Sequence, residues 1–142
     1  METTRSLSIF ILDDNPFCGT ITEQHIRNLD YTDVDLFTDE ETCLNQLGRR
    51  PDIIFLDYPS KSPDGLDIIR KIGRINPDIY IVVFTDQENR EATVHSRKYG
   101  AFDYVVRGHD DLNKIHTVLK KIEEVMTLLE LRPPGSTTLH RS

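Results

Sequence analysis

Three segments of this chain each place an acid where a short apolar run ends. Ile9-Phe10-Ile11-Leu12 leads into Asp13-Asp14, Ile53-Ile54-Phe55-Leu56 into Asp57, and Ile79-Tyr80-Ile81-Val82-Val83-Phe84 into Thr85-Asp86. Apolar runs of this length, rich in β-branched and aromatic residues, read as strands buried on both faces. If those strands lie parallel, their carboxyl ends bring the acids into one pocket. Carboxylates crowded together without an obvious base require a cation, and hard oxygen donors favour Mg²⁺.

The elements that must position these acids alternate along the chain. Asn15-Pro16 is a helix start, since proline is tolerated in the first turn, and Phe17, Ile21, Ile26 and Leu29 give an approximate inward stripe. Residues 34–37 read as a second strand. Residues 39–47 read as a short helix, with Cys43, Leu44 and Leu47 on one face and Gly48 at its end. Pro51 leads into the third strand. Residues 58–64 hold two prolines and two serines and read as a loop at that strand's carboxyl end. A helix is expected over residues 65–75 with Leu66, Ile69 and Ile72 inward, broken by Asn76-Pro77-Asp78. A polar helix over residues 87–99 then precedes Gly100, and Asp103-Tyr104-Val105-Val106 is the fifth strand. Strands and helices in this order imply one α/β domain, a parallel sheet with helices on both faces.

The last helix is expected from about Asp110 to Leu131, with a broad apolar stripe through Leu112, Ile115, Val118, Leu119, Ile122, Val125, Met126 and Leu129. Its first half must pack on the sheet. From about Ile122 it is expected to run past the sheet's edge, where Ile115, Val118, Ile122, Val125 and Leu129 keep the spacing of a short coiled-coil seam. A plain amphipathic helix capping the domain accounts for the same residues. Residues 132–142, opening with Arg132-Pro133-Pro134-Gly135, read as a flexible tail or linker.

Composition narrows the partners. The chain has 142 residues and a net charge of −7, which argues against direct nucleic-acid binding, because neutralising phosphates needs a basic face. Cys18 and Cys43 lack metal-ligand spacing and read as free thiols in a reducing compartment. No signal peptide or membrane span is legible, so a cytoplasmic location is expected.

With the acids placed, residues from about Leu7 to Leu131 resemble the receiver domain of two-component response regulators. The resemblance rests on Asp13-Asp14 after the first strand and on Asp57 ending the third, with Asp64-Gly65-Leu66 following. Thr85 ends the fourth strand, and Lys98-Tyr99-Gly100-Ala101-Phe102-Asp103-Tyr104 leads into the fifth. Taken singly, Asp14 reads as well as a helix cap or loop acid, Thr85 as a turn residue and Tyr104 as packing; the combination carries the reading. The resemblance implies a flavodoxin-like, doubly wound (βα)5 domain over residues 1–131, with strand order 2-1-3-4-5. It implies Asp57 as phosphoacceptor from a histidine kinase or phosphotransfer protein. It further implies Mg²⁺ held by Asp13, Asp14, Asp57 and the backbone carbonyl of Pro59. Thr85 and Tyr104 would form the switch, and output would pass through the fourth helix, fifth strand and fifth helix, which would also serve any homodimer. The only chemistry implied is self-directed: phosphoryl acceptance and autodephosphorylation, not turnover of a separate substrate.

Three departures from the family pattern bear on mechanism. Arg107-Gly108 stands where the family carries lysine followed by proline, and a planar guanidinium does not replace a compact ammonium in a tight pocket. Arg107 keeps the positive charge and is expected either to pair with Asp57 or to swing out. The loop after Asp57 carries Pro59, Lys61 and Pro63 instead of a proline four residues on. Asp86, with Gln87 behind it, replaces a small residue beside the switch threonine. These departures predict slow phosphorylation and motivate the alternative of a pseudo-receiver that signals by contact alone. An aspartate-nucleophile phosphatase is the remaining reading, but Asn15 stands where that family has a second acid and the length hardly allows its cap domain. The chain is expected to be either a stand-alone receiver or the N-terminal domain of a longer regulator.

Overall fold

The central strands have no polar face to present to water, so they must be covered on both sides. β1 (Ser8–Leu12), β3 (Ile53–Asp57) and β4 (Tyr80–Thr85) are buried almost throughout, whereas β2 (Asp33–Phe37) and β5 (Asp103–Val106) each have half-buried positions. The computed structural model describes residues 6–57, 67–85 and 97–131. Its five strands form one sheet in the order β2-β1-β3-β4-β5, and every neighbouring pair is parallel. This is the flavodoxin-like order expected from the sequence.

Alternation along each strand divides the core into two. Ile9, Ile11, Phe55, Val82, Phe84 and Val105 point to one face, where they meet Ile26 of α1 (Pro16–Asn28) and the last helix (Asp111–Glu130). Phe10, Leu12, Ile54, Leu56, Ile81 and Val83 point to the other. There they meet Cys43 of α2 (Glu40–Asn45) and Ile68, Ile69 and Ile72 of α3 (Asp67–Ile75). Register then aligns the carboxyl ends: Leu12 pairs with Phe37 and Leu56, Asp57 with Phe84, and Thr85 with Val106.

The inward stripe of α1 differs from the expectation. Gly19, Thr22 and Ile26 are buried, while Phe17 is 74 % and Ile21 43 % exposed. The cause is close approach: a Cβ at Gly19 would lie 2.6 Å from Leu36 Cδ1, so the face without bulk is the one that fits against β2. Asn15 starts the helix as expected, its side chain accepting from the Phe17 and Cys18 N–H groups at 3.0 and 3.3 Å. Asp39 caps α2 in the same way through the Thr42 N–H.

The end of α2 is also corrected. Gly48 does not terminate it; the chain tightens into a 3₁₀ turn over Leu47–Arg49, with Arg50 N–H donating to the Leu47 carbonyl at 2.9 Å. The left-handed residue that reverses direction is Arg50, at φ 58°. Residues 97–99 are helical and end at Gly100, whose φ of 121° suits glycine alone. The expectations for the loop after Asp57, for most of the helix over 87–99 and for the tail fall on residues outside the described ones.

Of the two readings of the last helix, the packing favours the capping one, with four of the five seam positions turned inward. Ile115, Val118, Leu119 and Ile122 are buried, and Val125 and Met126 pack on the same cluster. The Tyr31 hydroxyl, in the connection between α1 and β2, donates to Glu123 and ties the helix's second half to the domain. Exposed apolar residues of this segment are Leu112, Leu128 and Leu131, so Leu112 is not part of the core stripe. Among the described residues no helix is long and apolar enough to cross a membrane. Ile122→Ala is therefore expected to lower stability by about 2–5 kcal/mol in a urea titration without changing the sedimentation coefficient. Leu128→Ala should stay within about 0.5 kcal/mol of the parent. A dimer that dissociates on Ile122→Ala at unchanged stability would restore the seam.

Candidate functional site

The site begins with β1 running out at Leu12. The Asp13 N–H donates to the Phe37 carbonyl at 3.0 Å, so the residue beyond β1 is held by the end of β2. The Asn15 N–H donates to Asp13 Oδ1 at 2.9 Å, so the same side chain also helps to start α1. Asp13 is thereby fixed from both sides and only 2 % exposed. Asp57, the last residue of β3, is half-buried, and Asp14 is exposed. One carboxylate oxygen from each of Asp13, Asp14 and Asp57 can be chosen so that all three lie within 4.8 Å of one another. Two of the three acid-bearing segments are thus brought together as expected; Asp86, from the third, lies outside the described residues.

Like charges at this spacing repel unless a cation lies among them. Arg107 supplies one. Its backbone N–H donates to the Thr85 carbonyl at 2.8 Å, which places it directly beyond β5 and level with the end of β4. Its Nη2 lies 3.1 Å from Asp13 Oδ2 and 3.3 Å from Asp57 Oδ1. The guanidinium carbon also sits 4.5 Å from the Phe84 ring centroid, within cation–π range. Of the two outcomes expected for Arg107, pairing with the acids is the one observed.

Burial still dominates at Asp13. It pushes the carboxyl above its usual value, and the charge of Asp14 adds to this; the Asn15 N–H and Arg107 oppose it without cancelling it. Such a group favours anything that neutralises it. Three hard oxygen donors within reach of one ion suit Mg²⁺ chemically, and the partly exposed Asp57 carboxylate is accessible to a reacting group.

Thr85 is buried at the end of β4, and Tyr104 on β5 is half-buried among the residues that pack against α3. The Arg97 guanidinium lies 5.7 Å from the Tyr104 ring centroid. Pro59, Lys61, Asp64, Asp86 and Gln87 lie outside the described residues. Sequence reasoning named Asp103 only as part of the segment leading into the fifth strand and missed its burial and its pairing with Lys121 at 2.8 Å and Arg97 at 3.3 Å. It also missed Lys114, whose Nζ donates to the Val106 carbonyl at 2.8 Å and ties the last helix to the strand that carries Arg107. Neither pairing has a local signature: 18 residues separate Asp103 from Lys121 and 8 separate Val106 from Lys114.

Comparison with known proteins agrees with this geometry. The family model for the response regulator receiver domain matches residues 9–120. The transcriptional regulatory protein ZraR of Escherichia coli O157:H7 is 25 % identical over 136 residues, covering 95 % of this chain and 30 % of its own. The DNA-binding transcriptional regulator NtrC of Salmonella typhimurium is 22 % identical over 102 residues, covering 72 % of this chain and 22 % of its own. The chain thus spans less than a third of the length of the curated relatives it matches. Among solved structures, NtrX from Brucella abortus superposes with a TM-score of 0.77 at 20 % identity, over 96 % of this chain and 32 % of that one. A CheY-like receiver domain protein from Methanospirillum hungatei gives 0.73 at 20 % identity, over 87 % and 98 %. A family match of that extent decides the matter: this chain belongs to the response regulator receiver domain family, the receiving module of two-component signalling.

Proposed function

We propose that the domain accepts a phosphoryl group on Asp57 in a Mg²⁺-dependent transfer from the phosphohistidine of a sensor kinase or phosphotransfer protein. The observation that carries this is the meeting of Asp13, Asp14 and Asp57 at one point on the sheet's carboxyl edge. An Asp57 carboxylate oxygen attacks phosphorus, the P–N bond to the donor imidazole breaks, and the imidazole leaves with its electron pair and takes up a proton. Asp13, Asp14 and Asp57, with the Pro59 carbonyl, would hold the Mg²⁺, which screens charge on the phosphoryl oxygens. Asp13 contributes as a buried carboxylate already oriented by the Asn15 N–H.

Thr85 is proposed to donate its hydroxyl to the new phosphoryl group and Tyr104 to move in response. The placement of Thr85 at the end of β4, beside the Arg107 backbone, supports that role. The exporting surface would be β5 with the helices flanking it, and a homodimer, if formed, would use that face. The partner at the input is a protein, and this segment is not proposed to contact nucleic acid or membrane. The close grouping of all three acids favours this reading over a receiver that signals by contact alone.

Incubation with Mg²⁺ and a small phosphodonor should add one phosphoryl mass to the intact chain, and Asp57→Asn should remove that addition completely. Absence of any addition would sink the proposal. Arg107→Lys should speed up labelling, because a compact ammonium frees room around Asp57; a slower or equal rate would reject that explanation of the arginine. A stability effect follows from the raised carboxyl of Asp13. Below the usual carboxylate range both folded and unfolded forms are protonated and no penalty exists. As pH rises through that range and then through the raised folded value, the fold loses stability by holding the charge. Metal-free Asp13→Asn should therefore melt higher than the parent at pH 7, and the gap should close as pH falls below about 4. An Asn variant that melts lower at pH 7 would mean that the ion pair with Arg107 outweighs burial.

A further inference from the structure

Both oxygens of Asp13 are in use. Oδ1 accepts from the Asn15 N–H at 2.9 Å, and Oδ2 from Arg107 Nη2 at 3.1 Å. The same nitrogen lies 3.3 Å from Asp57 Oδ1. The Arg107 side chain is 19 % exposed, and its guanidinium carbon lies over the Phe84 ring, 4.5 Å from the centroid. Resting on the Mg²⁺-dependent reading above, we propose that Arg107 is the resident cation of this pocket, and that a divalent metal binds Asp13 and Asp57 only by displacing it.

The two bonds to Asp13 differ in what it takes to give them up. The Asn15 N–H belongs to the backbone at the start of α1, and Asn15 also caps that helix, so this donor is held in place by the helix and cannot swing away from Oδ1. The Arg107 contact sits at the end of a long side chain just beyond β5, and rotation about its stem releases Oδ2 with the backbone still in place. The metal therefore competes with the arginine and not with the helix.

Charge makes coexistence unfavourable. A Mg²⁺ ligand lies about 2.0–2.1 Å from the ion, so a metal on these carboxylates would face a guanidinium still bonded to the same groups. In a half-buried pocket the repulsion between two cations is poorly screened. A lysine can relieve such repulsion by losing its proton, but arginine keeps its charge at any physiological pH, which leaves movement as its way out. The Phe84 ring opposes that movement, because it stabilises the cation where it is. Metal affinity then measures a difference, the metal's hold on the acids minus the arginine's, and the domain loads at a higher free Mg²⁺ concentration than the acids alone would need.

Calorimetric titration of Mg²⁺ into the full chain tests this without reference to phosphorylation. Arg107→Met and Arg107→Gln keep bulk at the position and remove the charge, and each should bind Mg²⁺ at least about tenfold more tightly than the parent. Metal-free, both should melt below the parent, because the acids lose their cation, and saturating Mg²⁺ should narrow that deficit. Equal or weaker binding in both variants, alongside measurable binding by the parent, would overturn displacement and leave the acceptor reading standing. Failure of parent and variants alike to bind Mg²⁺ would overturn both.

Discussion

Mutual repulsion among carboxylates gathered at one edge of the sheet is the constraint on which the rest of this domain depends. Asp13 is buried beside Asp14 and Asp57, and burial raises its carboxyl despite two favourable bonds. An arrangement of this kind persists only because the surrounding structure over-determines it. The Phe37 carbonyl holds the Asp13 backbone, the first turn of α1 holds its side chain, and β3 holds Asp57 between β1 and β4. The tension is the property that makes the site useful, since a crowded anionic pocket gains most from a cation.

Each positioning element has its own physical origin. The strands are parallel and doubly covered because their apolar runs leave no face for water. Their carboxyl ends are level because the pairing register sets Leu12 beside Phe37 and Leu56, and Thr85 beside Val106. α1 approaches closely because Gly19 presents no side chain to Leu36. Lys114 and the Thr85 carbonyl anchor the end of β5, so the stem of Arg107 starts from a defined place. A second buried acid, Asp103, is treated differently: Arg97 and Lys121 both neutralise it. One acid is satisfied by its surroundings and the other is left in need of more charge.

The departures from the family pattern take on physical meaning in this setting. An arginine in place of lysine widens the cation's reach, so that a single Nη2 spans Asp13 and Asp57. It also sets its guanidinium carbon over the Phe84 ring at 4.5 Å from the centroid, within cation–π range. The outer face of α1 carries Phe17 and Ile21 in solvent because a glycine and a threonine took the inward positions. The last helix turns Ile115, Val118, Ile122 and Val125 of its supposed seam onto the core, where it packs against β5 and α1.

Most of the fold and the acids of the site are legible in the sequence, because their signals are local. Apolar runs mark the strands, Asn15 and Asp39 mark helix starts, and an acid at the end of a run marks the edge to which the strands point. Residues that answer only to distant neighbours are not legible in this way. Periodicity on α1 chose Phe17 and Ile21 for the core, but the distance to β2 chose Gly19 and Thr22. Gly48 looked like the end of α2, but a 3₁₀ turn carried the reversal to Arg50. The sequence by itself determined the parallel α/β architecture and the acids at its carboxyl edge, since burial and chain direction are written in consecutive residues. Only the tertiary structure decided that Arg107 turns in and holds Asp13 as well as Asp57, because it meets Asp13 across 94 positions and Asp57 across 50, through sheet order and register that no local pattern encodes.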